Sequence, residues 1–151
     1  MITIIEYQPQ YAADFKALNL EWLDKYHLTE THDLEVLDDP EGAILQRGGH
    51  IYLALLDGKA VGTAALSRED DYCYELAKMS VAPSLRGQGI GRLLISHCLD
   101  KARQLGATRL ILWSNSQLQP AIAMYSQFGF QHVPVVDSPF TTADVKMELS
   151  L

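Results

Sequence analysis

Apolar and polar positions alternate with two different periods along the chain, and each period predicts one kind of element. A period of two, or a short apolar run between turn residues, is typical of a strand. Asp57-Gly58 lies between two such runs and predicts a hairpin turn. Strands are therefore predicted on each side of that turn and at Ile2–Tyr7, Cys73–Val81, Arg109–Trp113, Phe130–Val136 and Val145–Leu149.

Apolar residues that recur every three or four positions predict the helices. The helices are expected at Tyr11–Tyr26, Asp33–Leu37, Pro40–Gln46, Ile90–Leu105 and Pro120–Phe128. Glycines follow the third, fourth and fifth of these segments and favour a helix stop. Strands and helices interleave without a repeat or a linker, so the sequence predicts one α+β domain over residues 1–151.

The composition narrows the classes of function. Hydrophobic residues make up 48% of the 151 residues, a proportion typical of a folded globular protein. The 12 Lys and Arg against 19 Asp and Glu give a net charge of −7. This charge argues against a nucleic-acid partner, because phosphate binding needs a basic surface. A cationic small molecule suits an acidic protein better.

Other features bear on location, thiols and metals. The apolar run in MITIIEYQP is too short for a signal peptide or a membrane span, which predicts a cytoplasmic protein without a membrane partner. Cys73 and Cys98 lack C-x-x-C spacing and are expected to be buried structural thiols. His27 and His32 lie near Asp33 but match no ligand spacing, so no metal is predicted.

The segment SLRGQGIGRLL places three glycines at alternate positions between a strand and a helix. Such a turn presents backbone N–H groups to an anion at the helix N-terminus. It is not a P-loop, because no Gly-Lys-Ser/Thr occurs, and Arg92 stands where a dinucleotide fingerprint has its third glycine. The spacing R-x-x-G-x-G, from Arg86 to Gly91, fits a pyrophosphate. The alternative is a tight connection in which Gly91 serves packing alone.

With this turn, the segments ELAKMSVAPSLRGQGIGRLLISHCLDKARQLGATRLIL and NSQLQPAIAMYSQFGF resemble the GNAT family of N-acetyltransferases. The first resembles the acetyl-CoA motif of that family, and the second resembles the motif that faces the pantetheine and the thioester. The similarity runs from about Ile51 to Phe130. It implies a mixed, mostly antiparallel central sheet flanked by helices, with two central strands that splay apart to form a CoA cleft.

The resemblance also implies which residues bind the cofactor. Those of the glycine turn would hold the pyrophosphate of acetyl-CoA: Arg86, Gly87, Gln88, Gly89, Ile90, Gly91 and Arg92. The backbone groups of Met79 and Val81 would pair with the pantetheine amides. Asn115, at the end of a strand, would bond the pantetheine or a backbone group, and the alternative is an ordinary turn residue.

Acetyl transfer to an amine requires an uncharged nucleophile, support for an oxyanion and a proton for the departing thiolate. Tyr125 is the candidate acid, because a phenol with a reference pKa of about 10 can protonate a thiolate. Its alternative role is a core aromatic on the apolar face of its helix.

Glu75 is the candidate base, acting directly or by positioning water. Strand alternation predicts that it shares a face with Ala77, Met79 and Val81, near the start of the cofactor strand. The alternative is a solvated or salt-bridged carboxylate.

The resemblance places the acceptor between the first helical segments and the loop before the last strand. The candidate substrate residues are Trp22, Tyr26, Glu30 and Asp33 on one side and Ser138–Thr142 on the other. Acidic residues dominate from Glu21 to Glu41 and would attract an ammonium group. The alternative is a solvated acidic face.

These observations predict an N-acetyltransferase that moves the acetyl group of acetyl-CoA to a primary amine of a small molecule. The amine would attack directly in a ternary complex, with acetyl-CoA as co-substrate and no metal. Two other functions stay open, a non-catalytic acyl-CoA-binding module and an acetyltransferase for protein N-termini or lysines. A homodimer also stays open.

Overall fold

The computed structural model describes all residues, Met1–Leu151, and contains one seven-stranded sheet with five helices. The strands are β1 (Ile2–Glu6), β2 (His50–Leu56), β3 (Lys59–Arg68), β4 (Cys73–Val81), β5 (Arg109–Ser114), β6 (Gln131–Val133) and β7 (Val145–Ser150). Their order in the sheet is β1-β2-β3-β4-β5-β7-β6. Only β4 and β5 are parallel, and all other neighbours are antiparallel. The expected α+β fold is confirmed.

The helices cover both faces of the sheet. They are α1 (Ala12–Lys25), α2 (Thr31–Asp38), α3 (Pro40–Ala43), α4 (Ile90–Gln104) and α5 (Gln119–Gln127), and short 3-10 turns lie at Pro9–Tyr11, Leu45–Arg47 and Pro83–Leu85. One apolar core lies under α4 and α5, and a smaller one lies under α1 and α2. None of the helices combines the length and the apolar content that crossing a bilayer requires.

Local sequence signals account for most of these boundaries. Asp57 and Gly58 have φ angles of 51° and 79°, as a type I′ hairpin turn between β2 and β3 requires. Cys73–Val81 is a strand over the predicted range. The strand predicted at Phe130–Val136 is wrong in length, since β6 ends at Val133. Pro134 follows it and has no N–H group for the ladder.

A β-bulge interrupts β4 at Lys78. Ala77 is opposite Ala65 on β3, whereas Ser80 is opposite Thr63, so β4 has one extra residue between these pairs. Lys78 has a φ of +51°, a left-handed conformation that lysine seldom adopts. The extra residue reverses the alternation of side chains beyond it.

The parallel strands β4 and β5 pair only at their N-terminal ends. Cys73–Glu75 lie beside Arg109–Ile111, and no pairing continues from there to Val81 or Ser114. The sheet therefore opens between these strands in the direction of α4 and α5. This gap positions the site described next.

Candidate active site

A single cleft of about 490 Å³ occupies the gap between β4 and β5 and extends to the glycine turn. Its walls come from the C-terminal half of α1, from β4 between Glu75 and Val81, from the turn before α4 and the start of that helix, from the end of β5, and from α5 between Pro120 and Tyr125. The β6–β7 loop (residues 134–144) adds Phe140, Thr142 and Ala143. Most lining residues are apolar, which suits an organic ligand of extended shape.

Six consecutive backbone N–H groups at the glycine turn have no partner within the chain. They belong to residues 87–92, and the helical ladder of α4 begins only at Leu93, whose N–H donates to the carbonyl of Gly89. No side chain caps this helix. An uncapped helix N-terminus with such a run of donors is an anion-binding arrangement. Its geometry agrees with the predicted pyrophosphate site.

The side chains of this turn are divided between the cleft and the solvent. Arg86, Gly87, Gly89, Ile90, Gly91 and Arg92 line the cleft, whereas Gln88 is exposed and does not. The guanidinium of Arg86 forms a 2.6 Å ion pair with Glu21 on α1 and donates from Nε to the carbonyl of Val81. Arg86 therefore ties the turn to α1 and β4 in addition to bordering the cleft.

The backbone of β4 also faces the gap. Because the N–H of Ala82 donates to the carbonyl of Val61, Gly62 and Val81 form a non-hydrogen-bonded pair. The N–H and carbonyl of Val81 thus point away from β3, and alternation gives Met79 the same direction. The backbone groups of Met79 and the N–H of Val81 have the orientation that pairing with pantetheine amides would need, whereas the carbonyl of Val81 already accepts from Arg86.

Tyr125 lies on α5, which forms one wall of the cleft. It is buried in the core, packs edge-on against Phe130 and lines the cleft. Its hydroxyl makes no hydrogen bond to any other group of the chain. Burial, with a smaller contribution from Cys98, raises the pKa of Tyr125 to about 12, so the phenol keeps its proton at neutral pH.

Glu75 lines the same cleft but lies on the other face of β4 from Met79 and Val81. It pairs with Ser67, and its neighbour Ala77 pairs with Ala65 in the core under α1. The side chains of Met79 and Val81 instead pack under α4, because the bulge at Lys78 reverses the alternation. The predicted shared face is therefore correct for Glu75 and Ala77 and wrong for Met79 and Val81.

The environment of Glu75 favours its protonated form. Burial and the nearby carboxylate of Glu69 raise the pKa of Glu75 to about 8, against the opposing effect of Lys78. A carboxyl group that titrates near neutral pH is suited to accept a proton during a reaction.

Both polar atoms of the Asn115 side chain form a hydrogen bond within the protein. Its Nδ2 donates to the carbonyl of Thr142 at 2.7 Å, and its Oδ1 accepts from the N–H of Gln117 at 3.0 Å. It lines the cleft, yet its amide holds the end of β5 to the β6–β7 loop. The bond to Thr142 is the expected bond to a backbone group, and the bond from Gln117 is typical of a turn residue, so Asn115 combines both roles. Its contact with pantetheine stays a prediction.

Three of the four predicted substrate residues border the cleft. Trp22, Tyr26 and Asp33 line it, and Glu30 does not. Most of the acidic residues between α1 and α3 have partners: Glu21 binds Arg86, Asp38 binds Lys16, and Asp39 caps α3. The expected acidic surface is largely used by contacts within the chain.

Glu30 joins two distant segments. Its carboxylate accepts hydrogen bonds from the N–H and the hydroxyl of both Thr141 and Thr142, at 2.5 to 3.1 Å. Its backbone N–H donates to Asp33 as part of a capping box at α2. Glu30 thus holds the β6–β7 loop against α2. The only sequence signal for the helix cap is the E-x-x-D spacing from Glu30 to Asp33.

Replacing Glu30 with Gln is expected to lower the melting temperature at pH 7 by roughly 2–4 °C, because one acceptor oxygen becomes a donor facing N–H and O–H groups. Although burial would raise the pKa of Glu30, the bonds from Thr142 and Thr141 lower it to about 2. The stabilisation is therefore complete above the ordinary carboxyl pKa and is lost as pH falls toward 2. Thermal melts between pH 2 and 7 measure it, with the exposed Glu35→Gln on α2 as control. Equal melting temperatures for the two variants would contradict the contact.

Lys78 is a site residue that the sequence analysis missed. It lines the cleft, and its Nζ lies 2.5 Å from Oδ1 of Asp33. The two residues are 45 positions apart in the chain, and nothing in the local pattern relates them. The carbonyl of Lys78 accepts from the hydroxyl of Thr63, which supports the bulge.

The splayed strands, the uncapped helix N-terminus and the largely apolar cleft form a site suited to an extended ligand with an anionic end, and Glu75 and Tyr125 also line this cleft. Comparison with known proteins identifies the protein family. Residues 15–130 match the profile of the Acetyltransferase (GNAT) family. The chain belongs to this family, and it is an acetyltransferase of GNAT type.

Individual relatives and structures agree. An uncharacterized N-acetyltransferase, YjgM of Escherichia coli (strain K12), is 32% identical over 117 residues, which are 72% of this chain and 70% of that protein. The N-acetylaspartate synthetase of Xenopus tropicalis is 36% identical over 93 residues, 61% of this chain but only 34% of its own length.

Solved structures show the same fold. A GNAT acetyltransferase from Staphylococcus aureus Mu50 superposes with a TM-score of 0.91, at 23% identity and 99% coverage of both chains. A second structure, yncA from Salmonella typhimurium, has a TM-score of 0.77 at 22% identity, covers 99% of this chain and 94% of its own, and contains its cofactor acetyl-CoA.

Proposed function

We propose that the chain transfers the acetyl group of acetyl-CoA to the primary amine of a small molecule by direct attack. The observation that carries this proposal is the continuity of the cleft, which joins the six unpartnered N–H groups of the turn to Glu75 and Tyr125. A module that only bound CoA would need the turn but would have no use for two proton-handling groups in the cleft.

The residues present fit acetyl-CoA. Residues 87–92 would hold the pyrophosphate through backbone N–H groups, and the backbone of Met79 and Val81 would hold the pantetheine arm. The structure with acetyl-CoA from Salmonella typhimurium supports the same choice of ligand. When bound, acetyl-CoA supplies an activated acetyl thioester.

Glu75 and Tyr125 are the proposed base and acid of the reaction. Glu75 takes a proton from the attacking ammonium, directly or through a water molecule, because an amine is nucleophilic only when uncharged. Tyr125 donates a hydrogen bond to the sulfur and transfers its proton as the C–S bond breaks. Because the phenol is a weaker acid than a thiol, the transfer follows the development of charge on sulfur. The second proton of the attacking nitrogen, which is lost as the amide forms, returns to the Tyr125 oxygen.

The shape of the acceptor side favours a small molecule over a protein chain. Glu30 and Asn115 both hold the β6–β7 loop across this end of the cleft. A protein N-terminus or lysine would need an open groove there. The name of the Xenopus tropicalis relative, N-acetylaspartate synthetase, also denotes a small acetylated product.

A screen of amines with acetyl-CoA tests the proposal, with release of the CoA thiol as readout. We expect saturable turnover with at least one small amine and intersecting initial-velocity patterns, as a ternary complex requires. Parallel patterns would contradict direct attack. Tight CoA binding without thiol release for any amine would favour the binding module, and activity restricted to peptides would favour the protein acetyltransferase.

Glu75→Gln is expected to remove one step from the pH profile. If Glu75 must be ionised to accept a proton, kcat/KM of the wild type rises with pH through an apparent pKa near 8. The Gln variant should lose about tenfold at pH 8 and rise only as the acceptor amine deprotonates, near a pKa of roughly 10.4.

The matched control is Glu69→Gln, because the charge of the exposed Glu69 contributes to the raised pKa of Glu75. This variant should keep the step and shift it to lower pH. Identical profiles for wild type and Glu75→Gln would show that Glu75 is structural.

A further inference from the structure

The Lys78 ammonium is a buried donor with spare hydrogen bonds at the acceptor side of the cleft. The side chains of Lys78 and Asp33 are only 7% and 3% exposed. One ammonium hydrogen serves Asp33, and the ring of Phe140 lies 5.4 Å from Nζ. An ammonium carries three donors, so two have no partner in the chain although Lys78 borders the cleft.

Asp33 is less suited than Glu75 to receive the acceptor amine, because each of its oxygens already accepts a hydrogen bond within the chain. Oδ1 accepts from Lys78, and Oδ2 accepts from the N–H of Glu30 at 2.9 Å. The backbone of Lys78 is fixed as well, since Thr63 donates to its carbonyl at 2.7 Å. The contacts hold the ammonium in place and leave its remaining hydrogens available.

Trp22 is a second unused donor on the same side. Its Nε1 is fully buried without a partner, and the residue lines the cleft. Buried polar groups nearly always have partners, so the unpaired Nε1 of Trp22 is a further polar group on this side of the cleft. Glu75 lies on the face of β4 that is covered by α1, and Lys78 reaches Asp33 of α2 on that side. Glu75 is the proposed proton acceptor of this region.

We propose that the acceptor carries a carboxylate as well as its amine, as an amino acid does, and that Lys78 binds this carboxylate while the amine faces Glu75. This inference rests on the proposed function. Asp33 then acts as a positioning residue that fixes the ammonium. The negative charge of Asp33 balances the positive charge of Lys78, so the pair is neutral before the acceptor binds. The carboxylate of the acceptor would then form charge-assisted hydrogen bonds with the free N–H groups of the Lys78 ammonium.

The test compares amines that differ only in the carboxylate, for example L-phenylalanine with phenethylamine and L-leucine with isopentylamine. The wild type should show kcat/KM at least tenfold higher for the amino acids. Lys78→Met keeps the length of the side chain and should remove most of this preference, because kcat/KM falls more for the amino acids than for the amines. Some loss is expected for both, since Lys78 also lowers the pKa of Glu75. Asp33→Asn keeps an acceptor for the N–H of Glu30 and should retain a preference for the amino acids.

Because Lys78→Met leaves Asp33 buried and unpaired, the double variant Asp33→Asn/Lys78→Met is measured beside it, with CoA affinity to confirm a folded cleft. Equal rates for amines and amino acids in the wild type would overturn the carboxylate site and leave the proposed acetyltransferase intact. An unchanged preference in the double variant would overturn the role of Lys78. CoA binding without turnover of any amine would reject both proposals.

Discussion

Replacing Tyr125 with Phe is expected to lower turnover by roughly ten- to a thousandfold and to leave CoA affinity and melting temperature nearly unchanged. Phe keeps the ring that packs edge-on against Phe130, at 5.9 Å between centroids. It removes the hydroxyl, which has no partner in the chain and holds its proton at neutral pH. The departing sulfur would then lose its proton donor while the core keeps its packing.

Tyr52→Phe is the matched control. Tyr52 belongs to the same core, its hydroxyl is buried without a partner, and it does not line the cleft. Turnover, CoA affinity and melting temperature are measured on the same preparation of each variant. If Tyr125→Phe stays within about twofold of wild type while chemistry limits the rate, Tyr125 is a core aromatic and not the acid.

The second large effect concerns the glycine turn, where Gly91→Val should weaken CoA binding by roughly ten- to a hundredfold. A Cβ at Gly91 would lie 3.3 Å from Cε of Met124 and 3.9 Å from Cγ2 of Val81, so a larger side chain enters the cleft beside the free N–H groups. Gly91 has no left-handed φ angle, so the helix itself accepts a side chain there. Gly91→Ala should have an intermediate effect.

Gly89→Val should weaken CoA binding at least as much, but for two reasons. The φ of Gly89 is +85°, which a β-branched residue avoids, so the turn itself would be distorted. Gly106→Val is its control, because Gly106 has a φ of +79° and equally open surroundings at the other end of α4. Calorimetric titration with CoA separates them. Unchanged affinity in folded Gly89 and Gly91 variants would reject the pyrophosphate site.

The position of Glu75 shows where reasoning from periodicity stops. Regular alternation along Cys73–Val81 predicted a single face for Glu75, Met79 and Val81, and the range of the strand was correct. The bulge depends on how β4 pairs with Thr63 and Ala65 of β3, and the sequence of β4 contains no signal that predicts it. A register shift is a property of two strands, so one strand's pattern cannot reveal it.

The acidic residues from Glu21 to Glu41 show that the sequence also does not reveal which charged groups have partners. These residues are visible in the sequence as one group, but their partners lie far away: Glu21 pairs with Arg86, Asp33 with Lys78, and Glu30 with Thr141 and Thr142. These pairings convert an apparent ammonium-attracting surface into contacts that shape the cleft. They also identify Lys78, which the sequence analysis did not select.

The sequence by itself determined the features whose cause is local. These are the hairpin at Asp57-Gly58, the strand–turn–helix order around the three glycines, the amphipathic helices and the resemblance to the GNAT family. Their physical basis is backbone conformation and apolar spacing over a few residues. Only the tertiary structure decided how far β4 and β5 separate, which face Glu75 occupies and which carboxylates already have partners. Those outcomes depend on strand register and on ion pairs and hydrogen bonds between residues 45 to 112 positions apart, which only the folded chain brings together.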